Sequence, residues 1–274
     1  MDGLSTDSKP TAESLWYCCG GQRDCGVPVS AKRDRIERDR RCRNYSSGGG
    51  RVILIPARNE GPRIGLVIRS VQVAQPGVEI VVIANDCTDD TALVAVQAGA
   101  TVIESARGYG QALCAGYRYA VGQPGVAWVV QLDADGQHPP DAIPRLLEGL
   151  GRADMVIGSR FASGGSAESW PRRRRWTVQL MGMATEWMSG LQVQDISSGF
   201  QALNISVVAA IVNDFPVELT DANLLVRIQR MGFSVTEVGV KMACRAGGES
   251  MHGGFRSAIY AGKTLMAVSR EIRR

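Results

Sequence analysis

Two aspartates separated by a single residue, Asp133 and Asp135, are the side chains in this sequence that point most directly to chemistry. They follow the apolar run 127–132, which we predict to be a buried strand, and they precede Gly136 and two prolines. Because the chain turns there, we expect both carboxylates to converge on one point. Carboxylate oxygens suit Mg²⁺ or Mn²⁺, which usually complete their coordination with substrate phosphate oxygens. Such pairs also cap helices or occupy turns, so the pair alone leaves both interpretations open.

Alternating strands and helices are predicted around this pair. Short β-branched runs predict buried strands at 52–55, 79–84, 101–104, 127–132 and 155–157. Helical periodicity lies between them, in the apolar sets Ile64, Val67, Ile68 and Val71, then Leu93, Val94 and Val96, then Leu113, Tyr117 and Val121. This succession predicts an α/β fold with a Rossmann-like, mostly parallel sheet flanked by helices. Ligands of such sheets bind beyond the carboxyl ends of the strands.

Composition and charge exclude several classes of protein. The 274 residues, 45% hydrophobic and 21% charged, are typical of a globular chain. The apolar runs are shorter than the ~18 to 20 residues that a membrane-spanning helix needs. A net charge of +4 without a nucleic-acid-binding pattern argues against a nucleic-acid partner. Seven cysteines, an odd number, together with the lack of a secretory signal, favour a cytoplasmic location.

One folded domain is predicted between two terminal segments. Residues 1–50 are polar and rich in turn-forming residues, so we expect a mobile N-terminal extension. Residues 51–250 contain the strand and helix pattern. Residues 251–274 are predicted to form an amphipathic helix, which packs on its own domain, lies on a membrane surface or packs against a partner. Its apolar stripe comprises Ala258, Ala261, Leu265, Val268 and Ile272.

The segment Gln-Leu-Asp-Ala-Asp-Gly-Gln-His-Pro-Pro at 131–140 resembles the inverting family 2 glycosyltransferases, which have the GT-A fold. Within that family, the chain is similar over about residues 51–251 to enzymes that resemble the dolichyl-phosphate mannose and dolichyl-phosphate glucose synthases. Further matching segments follow in the family's order at 55–60, 85–91, 107–112, 158–161, 197–201, 237–240 and 245–250. Three positions depart from the pattern: Asn85 replaces an aspartate common in the family, Asn223 replaces an acid common in relatives, and Met251 replaces a lysine or arginine.

The resemblance implies a single GT-A domain that uses a UDP- or GDP-linked hexose. Its nucleotide-sugar half is expected at 51–158 and its acceptor half at 159–250. The implied nucleotide-sugar contacts are Pro56, Ala57, Arg58, Glu60, Asn85, Asp89, Gly108, Gly110, Asp133, Ala134 and Arg245. The implied acceptor contacts are Ser198, Gly199, Arg172, Arg175 and Ser250.

The resemblance also implies a metal and three catalytic residues. Asp133, Asp135 and Gln137 are expected to hold Mg²⁺ or Mn²⁺, which stabilises charge developing on the departing diphosphate. The catalytic residues are Asp135, Arg160, which approaches the diphosphate or an acceptor phosphate, and Asp221. For a hydroxyl acceptor Asp221 is the candidate base, whereas a phosphate acceptor is already ionised and needs none. The alternative for Asp221 is a charge at a helix N-terminus, with Thr220 as cap.

The acceptor expected first is a polyprenyl phosphate of the dolichyl type. The alternatives are a hydroxyl of a soluble metabolite or glycan, and a catalytically inactive scaffold subunit that binds nucleotide. Four arginines at 172–175, between Trp170 and Trp176, favour an anionic acceptor or a phospholipid headgroup, and hence peripheral contact with a membrane. A solvated basic helix start is the other interpretation of this run.

Overall fold

The computed structural model describes residues 50–167, 170–243 and 255–274, and within them strands alternate with helices. The strands are β1 (Gly50–Ala57), β2 (Glu79–Asn85), β3 (Thr101–Ser105), β4 (Val126–Gln131), β5 (Met155–Ser159), β6 (Gln201–Asn204) and β7 (Val235–Gly239). The α-helices are α1 (Gly61–Ala74), α2 (Thr91–Gln97), α3 (Tyr109–Gly122), α4 (Ile143–Gly149), α5 (Arg172–Ser189), α6 (Ile205–Ile211), α7 (Ala222–Arg230) and α8 (Phe255–Arg273). All five strands predicted from the sequence are present.

The strands form one sheet in the order β3-β2-β1-β4-β6-β5-β7. Strand β6 is antiparallel to both of its neighbours, β4 and β5, and the other pairs are parallel. The predicted mostly parallel α/β sheet is therefore confirmed. The antiparallel strand has a consequence for function, because its amino end lies at the same edge as the carboxyl ends of β4 and β5.

The hydrophobic core lies on both faces of the sheet. Alternate residues of β1 point to opposite sides, so Val52 and Leu54 belong to one buried cluster while Ile53 and Ile55 belong to the other. Helices α3, α6, α7 and α8 cover the first cluster, and α1, α2 and α4 cover the second. Each such aliphatic side chain contributes roughly 1.5 to 3 kcal/mol when fully buried, so the two layers fix the sheet from both sides.

Three of the predicted helix stripes differ in how fully they are buried. In α1 all four predicted apolar positions are buried. In α2, by contrast, Leu93 and Val96 are exposed, because this seven-residue helix contacts the sheet through Thr91 and Ala95. In α3 the exposed Val121 lies in the last turn, beyond the part of the helix that rests on the sheet. The prediction that these three side chains face the core is wrong.

The C-terminal helix α8 packs on its own domain against α5 and α7. Thr264 and Val268 are fully buried there, and Arg227 of α7 forms an ion pair with Glu271 of α8. Of the alternatives for this helix, packing on the domain is therefore observed. None of the helices in the described ranges is long and apolar enough to cross a membrane. The N-terminal extension predicted at 1–50 lies, except for Gly50, outside the described residues.

Candidate active site

The predicted site residues that follow the strands in the described ranges lie at one edge of the sheet. The parallel strands β1 to β5 end at this edge, and the antiparallel β6 begins there, so the segment 195–200 joins the loops that follow the other strands. Hydrogen bonds link the loops directly. The Gly108 amide donates to Asn85 Oδ1 (2.9 Å), and the Ser198 hydroxyl donates to the Gly158 carbonyl (2.6 Å). Segments far apart in sequence thus form one surface.

The loops after β1 and β2 are bound to each other by their polar side chains. The Glu60 amide donates to Thr91 Oγ1 (2.8 Å), and the Gly61 amide donates to Asp89 Oδ2 (3.0 Å). Burial raises the pKa of Asp89, but hydrogen bonds from Thr91 and Gly61 outweigh it and lower the pKa below its ordinary value. The Asp89 carboxylate is therefore an ionised brace between two loops, and its contact with a nucleotide stays a prediction.

The loop before α3 depends on two glycines. Gly108 has a φ of 134°, which L-residues rarely adopt. Gly110 lies so close to the chain at Val217 that a Cβ would overlap the Val217 carbonyl oxygen. The buried Asn85 side chain accepts from the Gly108 amide and so fixes this loop to the end of β2. These features explain the sequence at Asn85, Gly108 and Gly110 as the support of a close-packed loop.

Asp133 lies at the centre of the site. Its Oδ1 accepts a hydrogen bond from the Tyr109 hydroxyl (3.2 Å), and its backbone amide donates to His138 Nδ1 (3.0 Å). Burial and the charge of Asp133 raise the pKa of Tyr109 well above its ordinary value, so the phenol stays a donor. Gly199 packs against the same carboxylate: a Cβ there would lie 2.9 Å from Tyr109 Oη and 3.1 Å from Asp133 Oδ1.

His138 is a packing residue. Its ring is buried and stacks on Phe200, with 5.1 Å between the ring centres and 11° between the planes. Burial lowers the pKa of His138, although the charges of Asp133 and Asp135 oppose this effect. The ring therefore stays neutral, accepts at Nδ1 and supports the turn that presents the two aspartates.

The carboxylates of Asp133 and Asp135 fit a divalent ion of the Mg²⁺ or Mn²⁺ type. Both are hard oxygen donors on one turn, in which Asp135 Oδ1 also accepts from the Gln137 amide (3.0 Å). Within the described ranges no group of three or more His, Cys, Asp or Glu side chains could enclose a metal. A donor set of two carboxylates leaves most coordination positions to substrate oxygens, which is the usual arrangement for Mg²⁺ with phosphates.

Gln137 connects the turn that contains Asp133 and Asp135, the aspartate turn, to the chain after β7. Its side-chain nitrogen donates to the Ala243 carbonyl (3.2 Å), and its carbonyl accepts from the Ala243 amide (3.0 Å). Gln137 therefore positions the segment that precedes Arg245. Arg245 and Ser250, predicted as donor and acceptor contacts, lie outside the described residues.

Arg160 is held in place by an acid that the sequence analysis did not single out. Its Nε and Nη2 donate to the two oxygens of Asp195 (2.7 and 2.8 Å), and Asp195 is fully buried. Glu237 in turn accepts the backbone amides of residues 194 and 195 (2.9 and 2.8 Å). The Arg160 guanidinium also lies 3.7 Å from the centre of the Trp170 ring. Asp195 and Glu237 are thus positioning residues for Arg160, the predicted phosphate contact.

Asp221 lies immediately before α7, but its side chain does not cap that helix. Its backbone carbonyl accepts from the Leu224 amide (3.0 Å), while its carboxyl makes no capping hydrogen bond. Burial and, second, the charge of Asp133 raise the pKa of Asp221 to about 7. At neutral pH this carboxyl is close to half ionised, which is the range in which a general base works best.

The remaining predicted residues differ in accessibility. Ala57, Ala134 and Ser198 are buried and shape the site through their backbones, whereas Arg58 is exposed at the end of β1. Pro56 is paired within the sheet, opposite Ile83. Arg172 is exposed and Arg175 half-buried at the start of α5. Tyr109 was part of a matching segment without an assigned role, and its hydrogen bond to Asp133 is the contact that sequence reasoning missed.

Solved structures share this architecture. A glucosyl-3-phosphoglycerate synthase from Mycobacterium tuberculosis, determined with Mn²⁺, uridine diphosphate and glucosyl-3-phosphoglycerate, superposes with a TM-score of 0.61 at 19% identity, over 84% of this chain and 82% of that one. The same enzyme with Mg²⁺ and uridine diphosphate gives 0.60 at 20% identity, over 83% of each chain. The fold is that of the GT-A glycosyltransferases.

The family follows from sequence comparison. The model described as "Glycosyl transferase family 2" matches residues 52–211. An undecaprenyl-phosphate mannosyltransferase of Micrococcus luteus is 30% identical over 235 residues, which cover 80% of this chain and 92% of the relative. A polyprenol monophosphomannose synthase of Mycolicibacterium smegmatis is 29% identical over 228 residues, which cover 76% and 84%. The chain belongs to glycosyl transferase family 2 and is a nucleotide-sugar-dependent glycosyltransferase.

Proposed function

We propose that this protein transfers a hexose, with inversion, from a UDP- or GDP-linked donor to a polyprenyl phosphate. The observation that supports this acceptor is the alignment along 76% to 80% of the chain with two relatives named for polyprenyl-phosphate acceptors. The solved structures named for a phosphoglycerate product share only 19% to 20% identity with this chain, so they support the fold alone. A polyprenyl phosphate therefore has stronger support as the acceptor than a phosphoglycerate has.

The donor is proposed to bind in the half formed by 51–158. These proposed donor contacts lie at the carboxyl ends of β1 to β4 or in the segments that follow those strands: Pro56 to Glu60, Asn85, Asp89, Gly108, Gly110 and Ala134. Asp133 and Asp135, with Gln137 beside them, would hold Mg²⁺ or Mn²⁺. When bound, the ion stabilises negative charge on the departing diphosphate. Hydrogen bonds between these loops hold the proposed donor contacts in fixed positions relative to one another.

The acceptor is proposed to bind in the half formed by 159–250. Gly199 packs closely against the Asp133 carboxylate, and Arg160 supplies a fixed cation for a phosphate. A third carboxylate near Asp133 would repel two phosphate groups if it were ionised. Burial raises the pKa of Asp221 and so favours its protonated form, which reduces this repulsion.

The same observation on Asp221 favours the second candidate function, transfer to a hydroxyl of a soluble acceptor. A carboxyl that caps no helix and has a pKa of about 7 is suited to accept a proton from a hydroxyl at neutral pH. The two candidates therefore share one donor site and differ in the task of a single side chain.

A transfer assay with two matched acceptors tests the proposal. Labelled UDP- and GDP-hexoses are incubated with Mn²⁺ and either a ten-carbon prenyl phosphate or the corresponding prenyl alcohol, with EDTA and Asp135→Ala as controls. We expect product from the phosphate alone, and none with EDTA. Transfer to the alcohol or to a soluble sugar, with the prenyl phosphate unused, would overturn the proposed acceptor. If the same amount of product forms with and without EDTA, the proposed metal requirement is wrong.

The proposed location is the cytoplasm. Cys87 and Cys114, the cysteines within the described ranges, are thiols and not disulfides, as a reducing compartment requires.

A further inference from the structure

Helix α5 presents a stripe of large apolar side chains to solvent. Trp176, Leu180, Met183 and Trp187 are 66%, 58%, 65% and 88% exposed. Their spacing of four, three and four residues places them on one face of the helix. We call these four residues the α5 stripe. Exposed apolar residues scattered singly need no explanation, but a continuous row with two tryptophans indicates a binding surface.

The α5 stripe is not needed to hold the helix on the protein. The opposite side of α5 is anchored by the buried Met181, Gly182 and Thr185. The anchor is tight, because a Cβ on Gly182 would lie 3.0 Å from the Gln194 carbonyl oxygen. The stripe is therefore a second, unpartnered face of a helix that is already fixed, within the part of the chain that the structure describes.

Charge accompanies the stripe at one end. The helix begins with four arginines, of which Arg172 and Arg173 are exposed and precede Trp176 by four and three residues, so they flank the same face. Cations at a helix N-terminus oppose the helix dipole, so the helix itself gains nothing from them. Glu186, the one acidic residue of α5, is turned about 100° away from its neighbour Trp187. The face is apolar and cationic, which complements an anionic lipid surface.

The cationic end of α5 is connected to the active site. The ring of Trp170 lies between two guanidinium groups, with Arg160 at 3.7 Å and Arg174 at 3.8 Å from the ring centre. Two guanidinium groups at these distances cannot share one face of the ring, so they stack on opposite faces. The basic start of α5 thus contacts, through one tryptophan, the arginine proposed to meet the acceptor phosphate.

We propose that α5 lies flat on a bilayer that contains anionic phospholipid, with the α5 stripe among the upper acyl chains and Arg172 and Arg173 among the headgroups. Tryptophan prefers this interface, and each arginine there adds attraction to anionic lipid. The helix spans about 27 Å along such a surface. The choice of lipid over a second copy of the chain rests on the proposed function, since a polyprenyl phosphate resides in a membrane.

Vesicle binding tests the inference without any turnover. The full chain is sedimented with vesicles of phosphatidylglycerol and phosphatidylcholine, and again with phosphatidylcholine alone. We expect binding to the anionic vesicles, weakened by salt. Trp176→Gln/Trp187→Gln should weaken it at least about tenfold, and Arg172→Gln about fivefold. The matched control is Leu66→Gln/Val73→Gln on α1, two similarly exposed apolar residues seven positions apart, which should bind as wild type does.

Two further measurements separate the outcomes. Brominated acyl chains should quench the tryptophan fluorescence of the wild type and not that of the double tryptophan variant. That variant should also keep its rate on a water-soluble short-chain prenyl phosphate. Vesicle binding unchanged by the double substitution, or a wild-type dimer that the substitution converts to monomer without any vesicle binding, would overturn the inference. Vesicle binding without transfer to prenyl phosphate would overturn the proposed function alone.

Discussion

Replacing Asp221 with asparagine should stabilise the protein in a pH-dependent way. Asparagine has nearly the shape of a protonated aspartate but cannot ionise. In the native site, burial first and the Asp133 charge second oppose ionisation of Asp221, which raises its pKa to about 7 from an ordinary value of 3.8. The native protein therefore bears a cost for this carboxylate whenever it is charged, and the variant does not.

The sign and size of the effect follow from these two pKa values. Between pH 3.8 and about 7 the unfolded chain has lost the Asp221 proton while the folded protein retains it. Unfolding then releases a proton, so this contribution to the free energy of unfolding falls as the pH rises. At about 1.4 kcal/mol per pKa unit, the loss reaches up to about 4 kcal/mol above pH 7. Asp221→Asn should equal wild type near pH 4 and exceed it by up to this amount at pH 8.

Urea denaturation followed by circular dichroism at pH 4.5, 6 and 8 measures the difference. EDTA is included because a divalent ion beside Asp133 would offset the negative charge that helps to raise the pKa of Asp221. Asp141→Asn, which removes an exposed carboxyl near the site, is the matched control. A stability difference between Asp221→Asn and wild type that does not change with pH would refute the reasoning.

The same variant reports on the acceptor. If a hydroxyl is glycosylated, Asp221→Asn should lower turnover by about 10² to 10⁴, the typical contribution of a positioned base. If a prenyl phosphate is glycosylated, no proton has to be removed, and the loss should stay below about tenfold. Steady-state rates on both acceptor types decide between them, and a large loss on prenyl phosphate would contradict the proposed role of Asp221.

Asp135→Ala should abolish Mn²⁺-dependent transfer yet keep its thermal midpoint within about 2 °C of wild type, since the carboxylate lies outside the core; chelator-resistant activity would refute the metal set. Gly199→Ala should lower kcat/KM at least about tenfold in steady-state kinetics, because its Cβ would lie 3.1 Å from Asp133 Oδ1 and displace that carboxylate; a normal rate would show that transfer does not depend on this close packing. Arg160→Lys should lower the free energy of unfolding in urea by about 1 to 3 kcal/mol, because lysine cannot pair with both oxygens of the buried Asp195; unchanged stability would contradict that pairing.

Most of the sheet could be predicted from the sequence, because its strands are continuous apolar runs buried on both faces. Strand β6 could not, since it has only four residues, Gln201–Asn204, and begins and ends with polar side chains. Its position between β4 and β5 depends on contacts distant in sequence. The exposure of Leu93 and Val96 could not be predicted either, because periodicity identifies a helix but not how much of its surface the sheet covers.

The site was predicted where one short segment contains the chemistry, as at Asp133 and Asp135. The roles of side chains whose partners are distant in sequence could not be predicted. The pairing of Arg160 with Asp195 joins residues 35 positions apart, and the hydrogen bond from Tyr109 to Asp133 joins residues 24 positions apart. For Asp221, sequence alone left open a general base or a charge at a helix N-terminus with Thr220 as cap. The structure places Asp221 itself at the N-cap position of α7, without a capping hydrogen bond from its side chain.

The excursion of the chain between β5 and β6 begins and ends at a single edge of the sheet, and the ion pair of Arg160 with Asp195 fastens its two ends together. We call residues 161–194 the handle. Within the described residues the handle contributes no strand to the sheet, so its exposed positions can change without altering the strand order, provided that the side of α5 that packs on the domain is kept. On the proposed division of the domain into a donor half and an acceptor half, changes at exposed positions of the handle would alter the acceptor and leave the donor loops unchanged. For the protein engineer, Arg160 and Asp195 mark the two positions between which the handle of a relative with a different acceptor can be exchanged.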